Sequence, residues 1–94
     1  MMPSETYNAA IAKFGTEAQT RKAVEELTEL SLALQRALSG RADMNNIREE
    51  IADVEIMLGQ MRILYNTPLI VTDFTIDDWK EAKLSRLENL ISKK

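Results

Sequence analysis

Two short acidic runs carry the most specific chemistry in the chain: Glu25-Glu26-Leu27-Thr28-Glu29 and, past one predicted turn, Glu50-Ile51-Ala52-Asp53. On a helix each residue advances about 100°, so side chains three or four positions apart share a face. Glu26 and Glu29 therefore form one adjacent acidic pair, and Glu50 and Asp53 a second. On antiparallel neighbouring helices the two pairs meet as an oxygen-only cluster, which suits a hard cation such as Mg²⁺ or Mn²⁺ and not zinc. The chain has neither Cys nor His, which excludes thiolate and imidazole ligands, thiol nucleophiles and His general bases.

The helices that must position these pairs are written around them. Thr16 and Gln19 read as a capping box for a helix running to about Ser39, with Glu17 in its first turn and Gly40 as its stop. Its predicted apolar face is Ala23, Val24, Leu27, Leu30, Leu34, Ala37 and Leu38, with Leu32 pointing elsewhere. Lys22, Glu26, Glu29 and Ala33 share a flank of that face. The plainest role for Glu26 is an i, i+4 pair with Lys22, worth a few tenths of a kcal/mol. After a turn over 40–46, capped by Asp43 or Asn45, a second long helix runs to about Tyr65, ahead of Pro68. Its stripe is Ile47, Ile51, Val54, Met57, Leu58, Met61, Leu64 and Tyr65, with Glu50 inside it and Asp53 at its edge. An unpaired carboxylate in a core costs several kcal/mol. Glu50 therefore needs a buried Lys or Arg partner or a metal, and the facing Glu26 and Glu29 favour the metal.

Outside this pair the chain reads as two flanking helices. Ser4 is the predicted cap of the first, whose stripe is Tyr7, Ala10, Ile11 and Phe14 and whose end is Gly15. Leu69-Ile70-Val71 reads as a short extended segment in the loop 66–75. Thr75 caps the last helix, with Asp77 and Asp78 in its first turn and an apolar face of Ile76, Trp79, Leu84, Leu87, Leu90 and Ile91. Trp79 is predicted to be core, while Lys80 and Lys83 project into the same face and Arg86 borders it. With 45% hydrophobic residues, 3 Gly and 2 Pro in 94 residues, this is an all-α chain forming one domain over 1–94. A chain this short buries only about two-thirds of its unfolded surface, so the apolar girth of the two long helices calls for a partner subunit. A net charge of −3 with 12 scattered Lys and Arg argues against nucleic-acid binding. No apolar run has membrane-spanning length and the start has no basic apolar leader, so a cytoplasmic location with no membrane partner is expected.

The order E-E-x-x-E followed by E-x-x-D resembles the MazG-like superfamily of all-α nucleoside triphosphate pyrophosphohydrolases. The likeness extends to the hydrophobic frame from Glu25 to Leu30 and from Ile47 to Leu58, and to Phe14-Gly15-Thr16-Glu17-Ala18-Gln19, about half of the chain in all. It implies a four-helix chain whose central antiparallel hairpin packs on a second subunit, as a homodimer or homotetramer. It also implies Mg²⁺-dependent hydrolysis of an NTP or dNTP to the monophosphate and pyrophosphate, as in nucleotide pool sanitation. The metal ligands would be Glu26, Glu29, Glu50 and Asp53, and Glu25 would activate water. Lys83-Leu84-Ser85-Arg86-Leu87 resembles the family's basic C-terminal element, which gives Lys83 and Arg86 the substrate phosphates; Gln19 is a candidate for reading the base. Two further readings stand beside this one: a phosphoribosyl-ATP pyrophosphohydrolase, and a non-catalytic helical interaction module with surface acids.

Overall fold

Side chains or glycines take over the backbone's unpaired groups at the starts of all four helices and at the ends of the first two. The computed structural model describes residues 1–67, 70 and 72–93, and among these there are four helices and no strand: α1 (Pro3–Phe14), α2 (Thr16–Leu38), α3 (Met44–Tyr65) and α4 (Ile76–Ser92). They fall into two compact units, Met1–Leu64 and Tyr65–Lys94.

Met2, not Ser4, stands at the cap of α1. Pro3 fills the first helical position, where a missing N–H costs nothing, and the Glu5 carboxylate accepts the Met2 N–H at 3.2 Å. Ser4 is already inside the helix, where its carbonyl accepts from the Asn8 amide at 2.9 Å. Gly15, at φ +91°, ends α1 and also caps α2, its carbonyl accepting the Gln19 N–H at 3.1 Å. The predicted Thr16–Gln19 capping box does not form, because Thr16 is helical and the Gln19 side chain is buried. At the other end of α2, Gly40 adopts φ +80°. Its N–H reaches the Ala37 carbonyl at 3.1 Å and the Arg41 N–H reaches that of Arg36 at 2.9 Å, the paired bonds of a Schellman stop.

Asp43, rather than Asn45, caps α3, its Oδ1 accepting the Asn46 N–H at 3.0 Å. Thr75 and Asp78 cap α4 reciprocally at 3.1 and 3.0 Å. Of the predicted extended segment, Leu69 and Val71 lie outside the described residues, as does Pro68. Ile70 is exposed and donates its N–H to Asp73.

Burial on the two long helices follows a heptad rhythm. On α2 the covered positions include Gln19, Ala23, Glu26, Leu30, Ala33 and Ala37; on α3 they include Ile47, Glu50, Val54, Met57 and Met61, with Gln60 buried beside them. Steps alternating between three and four residues define a single straight seam on each helix. The seam of α2 keeps Ala23, Leu30 and Ala37 of the predicted apolar face but is turned toward the flank that carries Glu26 and Ala33. Val24, Leu27, Leu34 and Leu38 are exposed, Leu38 at 89%, and on α3 Met44, Ile51 and Leu58, spaced by sevens, are exposed as well. Three of the covered positions of α2 are alanines, Ala23, Ala33 and Ala37.

α4 has no second helix in its own unit to pack on, so Trp79 is 55% exposed instead of core. Its ring meets Phe74, centroid to centroid at 5.0 Å, and the Lys83 ammonium at 5.9 Å.

α1 contributes no fully buried residue, and Gly59 is what admits its Tyr7. A Cβ at Gly59 would overlap the Tyr7 ring, whose Cζ is 2.7 Å from that position. Gly59→Ala should therefore destabilise the protein by about 1–2 kcal/mol, the overpacking outweighing the gain of about 1 kcal/mol in helix propensity. In a Tyr7→Ala background the same change should be neutral or stabilising in urea titrations. An equal loss in both backgrounds would show that Tyr7 is not the obstacle.

Candidate metal centre

Glu26 and Glu50 occupy seam positions, so the heptad that packs α2 and α3 carries two carboxylates inward, and Asp53 follows Glu50 by three residues on the same face. Glu50 is 6% exposed. One carboxylate oxygen of each of Glu26, Glu50 and Asp53 lies within 4.8 Å of the other two. Ligand oxygens on an octahedral Mg²⁺ stand at most about 4.2 Å apart, so small side-chain rotations bring this trio to bonding range.

The polar partners of the trio are few. Lys22 Nζ is 3.3 Å from Glu26 and 3.6 Å from Glu25. The i, i+4 pair expected for Glu26 thus exists at the edge of the cluster. The Asn46 amide donates to Glu50 Oε1 at 3.4 Å, and Oε2 is buried without a hydrogen-bond partner. Among the described residues no Lys or Arg forms an ion pair with Glu50. Burial first, then the charges of Glu29, Asp53 and Glu26, raise the Glu50 pKa above the ordinary carboxylate value, against a smaller opposing effect of the Asn46 bond. The Lys22 pKa is also raised, first by its hydrogen bond to Glu26 and then by the charge of Glu25. A carboxylate with an orphaned oxygen, held among like charges, is a site short of positive charge. Three hard oxygen donors fit Mg²⁺ or Mn²⁺.

Two grooves flank the cluster. The larger, about 510 Å³, is lined by Glu25, Thr28, Glu29, Leu32 and Arg36 of α2 and by Asn46 and Glu50 of α3. The smaller, about 340 Å³, is lined by Lys22, Glu26, Asp53, Ile56 and Met57. Advancing along α2 from Lys22 to Arg36 thus means moving back along α3 from Met57 to Asn46. Glu29 is exposed and outside the trio, yet its charge acts on Glu50 and it lines the same groove. Glu25, also exposed, stands on that groove's wall. Gln19 is buried on the seam seven residues before Glu26. Lys83 and Arg86 are exposed on α4, in the second unit.

Three polar groups were not singled out from the sequence. Asn46 precedes Glu50 by four residues, Arg36 follows Glu29 by seven, and Gln60 follows Asp53 by seven, so each was marked only by sharing a helix face with an acid. Gln60 is 4% exposed, with Oε1 unpartnered and Nε2 3.8 Å from the Met57 sulfur. No family model, curated protein or solved structure matches the chain.

Proposed function

We propose that this chain is a metal-dependent nucleoside triphosphate pyrophosphohydrolase of the MazG-like kind, acting on an NTP or dNTP. The observation that carries the reading is Glu50: buried, flanked by Glu26 and Asp53, and with one oxygen that has no hydrogen-bond partner among the described residues. A surface interaction module has no use for such a carboxylate, whose burial without a counter-charge costs stability.

Glu26, Glu50 and Asp53 would hold the metal, with Glu29 joining from the groove. A divalent ion there supplies charge neutralisation for phosphate oxygens and polarises the reacting phosphoryl group. Asn46 orients Glu50, and Lys22 pairs with Glu26. Glu25, on the groove wall, would take a proton from a water that attacks the α-phosphorus while the bond to the bridging oxygen of pyrophosphate breaks. The resemblance assigns Lys83 and Arg86 of α4 to the substrate phosphates, and Gln19 stays a candidate for base recognition. Pyrophosphate release, screened over ribo- and deoxynucleoside triphosphates and phosphoribosyl-ATP with and without Mg²⁺, tests the reading. Mg²⁺-dependent turnover of a triphosphate is expected, turnover of phosphoribosyl-ATP alone would move the assignment to that reaction, and no turnover of any would overturn it.

The same reading makes α2 and α3 an antiparallel hairpin within an oligomeric bundle, as a homodimer or homotetramer. It is supported by the exposed Val24, Leu27, Leu34 and Leu38 of α2 and Met44, Ile51 and Leu58 of α3, an apolar extent that invites association. Sedimentation at micromolar concentration should give a homo-oligomer, with Leu27→Glu/Leu34→Glu dissociating it. A stable wild-type monomer would contradict this.

A further inference from the structure

Resting on the metal reading above, we propose that Arg36 is the phosphate-recognising residue of the larger groove, binding the pyrophosphate portion of the substrate at the end of α2. Among the described residues the groove's other ionisable side chains are Glu25, Glu29 and Glu50, so an anion enters only where cations stand, and Arg36 is the one cation among the described residues of its lining. Arg36 is also uncommitted. Arg21 pairs with Glu17 at 2.8 Å and Lys22 with Glu25 and Glu26, whereas the Arg36 guanidinium has no ion pair or hydrogen bond among the described residues.

Length and direction agree with this role. From Glu29 to Arg36 is seven residues, about 10.5 Å along the helix axis, which leaves room between the acids and the guanidinium for a chain of phosphates. A smaller groove of about 260 Å³ continues from Leu32 and Arg36 to Gln35, Ser39 and Arg41, so a second guanidinium lies beyond the first. The phosphate chain therefore runs from the acids toward the connection between α2 and α3. Asn46 on the facing helix adds an amide at that end.

A cation in the last turn of α2 also complements the helix dipole, but a lysine serves that purpose equally. Phosphate recognition does not treat the two alike, because only the planar guanidinium donates two parallel hydrogen bonds to one phosphate. The test is calorimetric titration of inorganic pyrophosphate into full-length wild type, Arg36→Lys and Arg36→Met in saturating Mg²⁺, with Mg²⁺ affinity and melting temperature measured for each. Wild type should bind pyrophosphate only with Mg²⁺, Arg36→Met at least about tenfold more weakly and Arg36→Lys in between. Mg²⁺ affinity and melting temperature should stay unchanged in both variants. Pyrophosphate bound equally well by Arg36→Met, or not bound by Mg²⁺-loaded wild type, would overturn this assignment and leave the metal site standing. Failure of wild type to bind Mg²⁺ would overturn both.

Discussion

Glu50→Gln and Asp53→Asn should each lower Mg²⁺-dependent pyrophosphate release by at least about two orders of magnitude while helical circular dichroism is retained. The size follows from the position. Losing a group that merely orients a ligand costs metal sites about 10–100-fold, and Glu50 and Asp53 would be ligands themselves. Both substitutions are close in shape to the residues they replace, so the seam keeps its packing. Glu50 has no cationic partner among the described residues, so no charge is orphaned by its neutralisation. Glu49→Gln, at the exposed neighbouring position, should stay near wild-type turnover and serves as the control. If Glu50→Gln and Asp53→Asn turn over like Glu49→Gln, the catalytic assignment of the cluster is wrong.

The second large effect is on stability, and it changes sign with metal. In chelator, Glu50 has a folded pKa above its unfolded value of about 4.3, raised by burial and by Glu29, Asp53 and Glu26. The native state then binds more protons than the unfolded state through that window. Stability falls as pH rises from the unfolded value through the raised one, and the penalty is fully present above both. Metal that binds only the folded cluster offsets this by RT ln(1 + [L]/Kd), about 2.7 kcal/mol at a hundredfold excess over Kd. Because the carboxylates must be ionised to bind, that gain grows with pH. Thermal melts of wild type across pH 4–8 should therefore slope down in chelator and rise on adding Mg²⁺ at neutral pH. Glu50→Gln should flatten the chelator profile, be as stable as wild type or more so at neutral pH, and lose most of the Mg²⁺ shift. A strongly destabilised Glu50→Gln that ignores Mg²⁺ would mark Glu50 as half of a buried ion pair instead.

The helical layout was legible because its stop signals are local. Gly15 and Gly40 end helices at positive φ, where other residues are strained, and Thr75 with Asp78 starts one through bonds three residues apart. Glu50 was legible for a related reason: counting around α3 put it among apolar residues before any neighbour was known. The rotation of α2 was not. Of the predicted face Ala23, Leu30 and Ala37 are covered, but Val24, Leu27, Leu34 and Leu38 are exposed, and the seam takes in Ala33, Glu26 and Gln19 instead. Periodicity ranks faces by greasiness and does not say which part of a broad apolar face a neighbour covers. Trp79 misled in the same way, since an apolar face on α4 says nothing of whether its own unit supplies something to cover it. Arg36 escaped notice because its interest lies in the acids it shares a groove with, and that requires both helices in place.

The central claim is that Glu26, Glu50 and Asp53 make a divalent-metal site, and titrating Mn²⁺ into the protein, with free ion followed by electron paramagnetic resonance, tests it most directly. Wild type should show a saturable site at neutral pH that Mg²⁺ competes for, unchanged in Glu49→Gln and lost in Glu50→Gln. Wild type that binds Mn²⁺ no better than Glu50→Gln would contradict it.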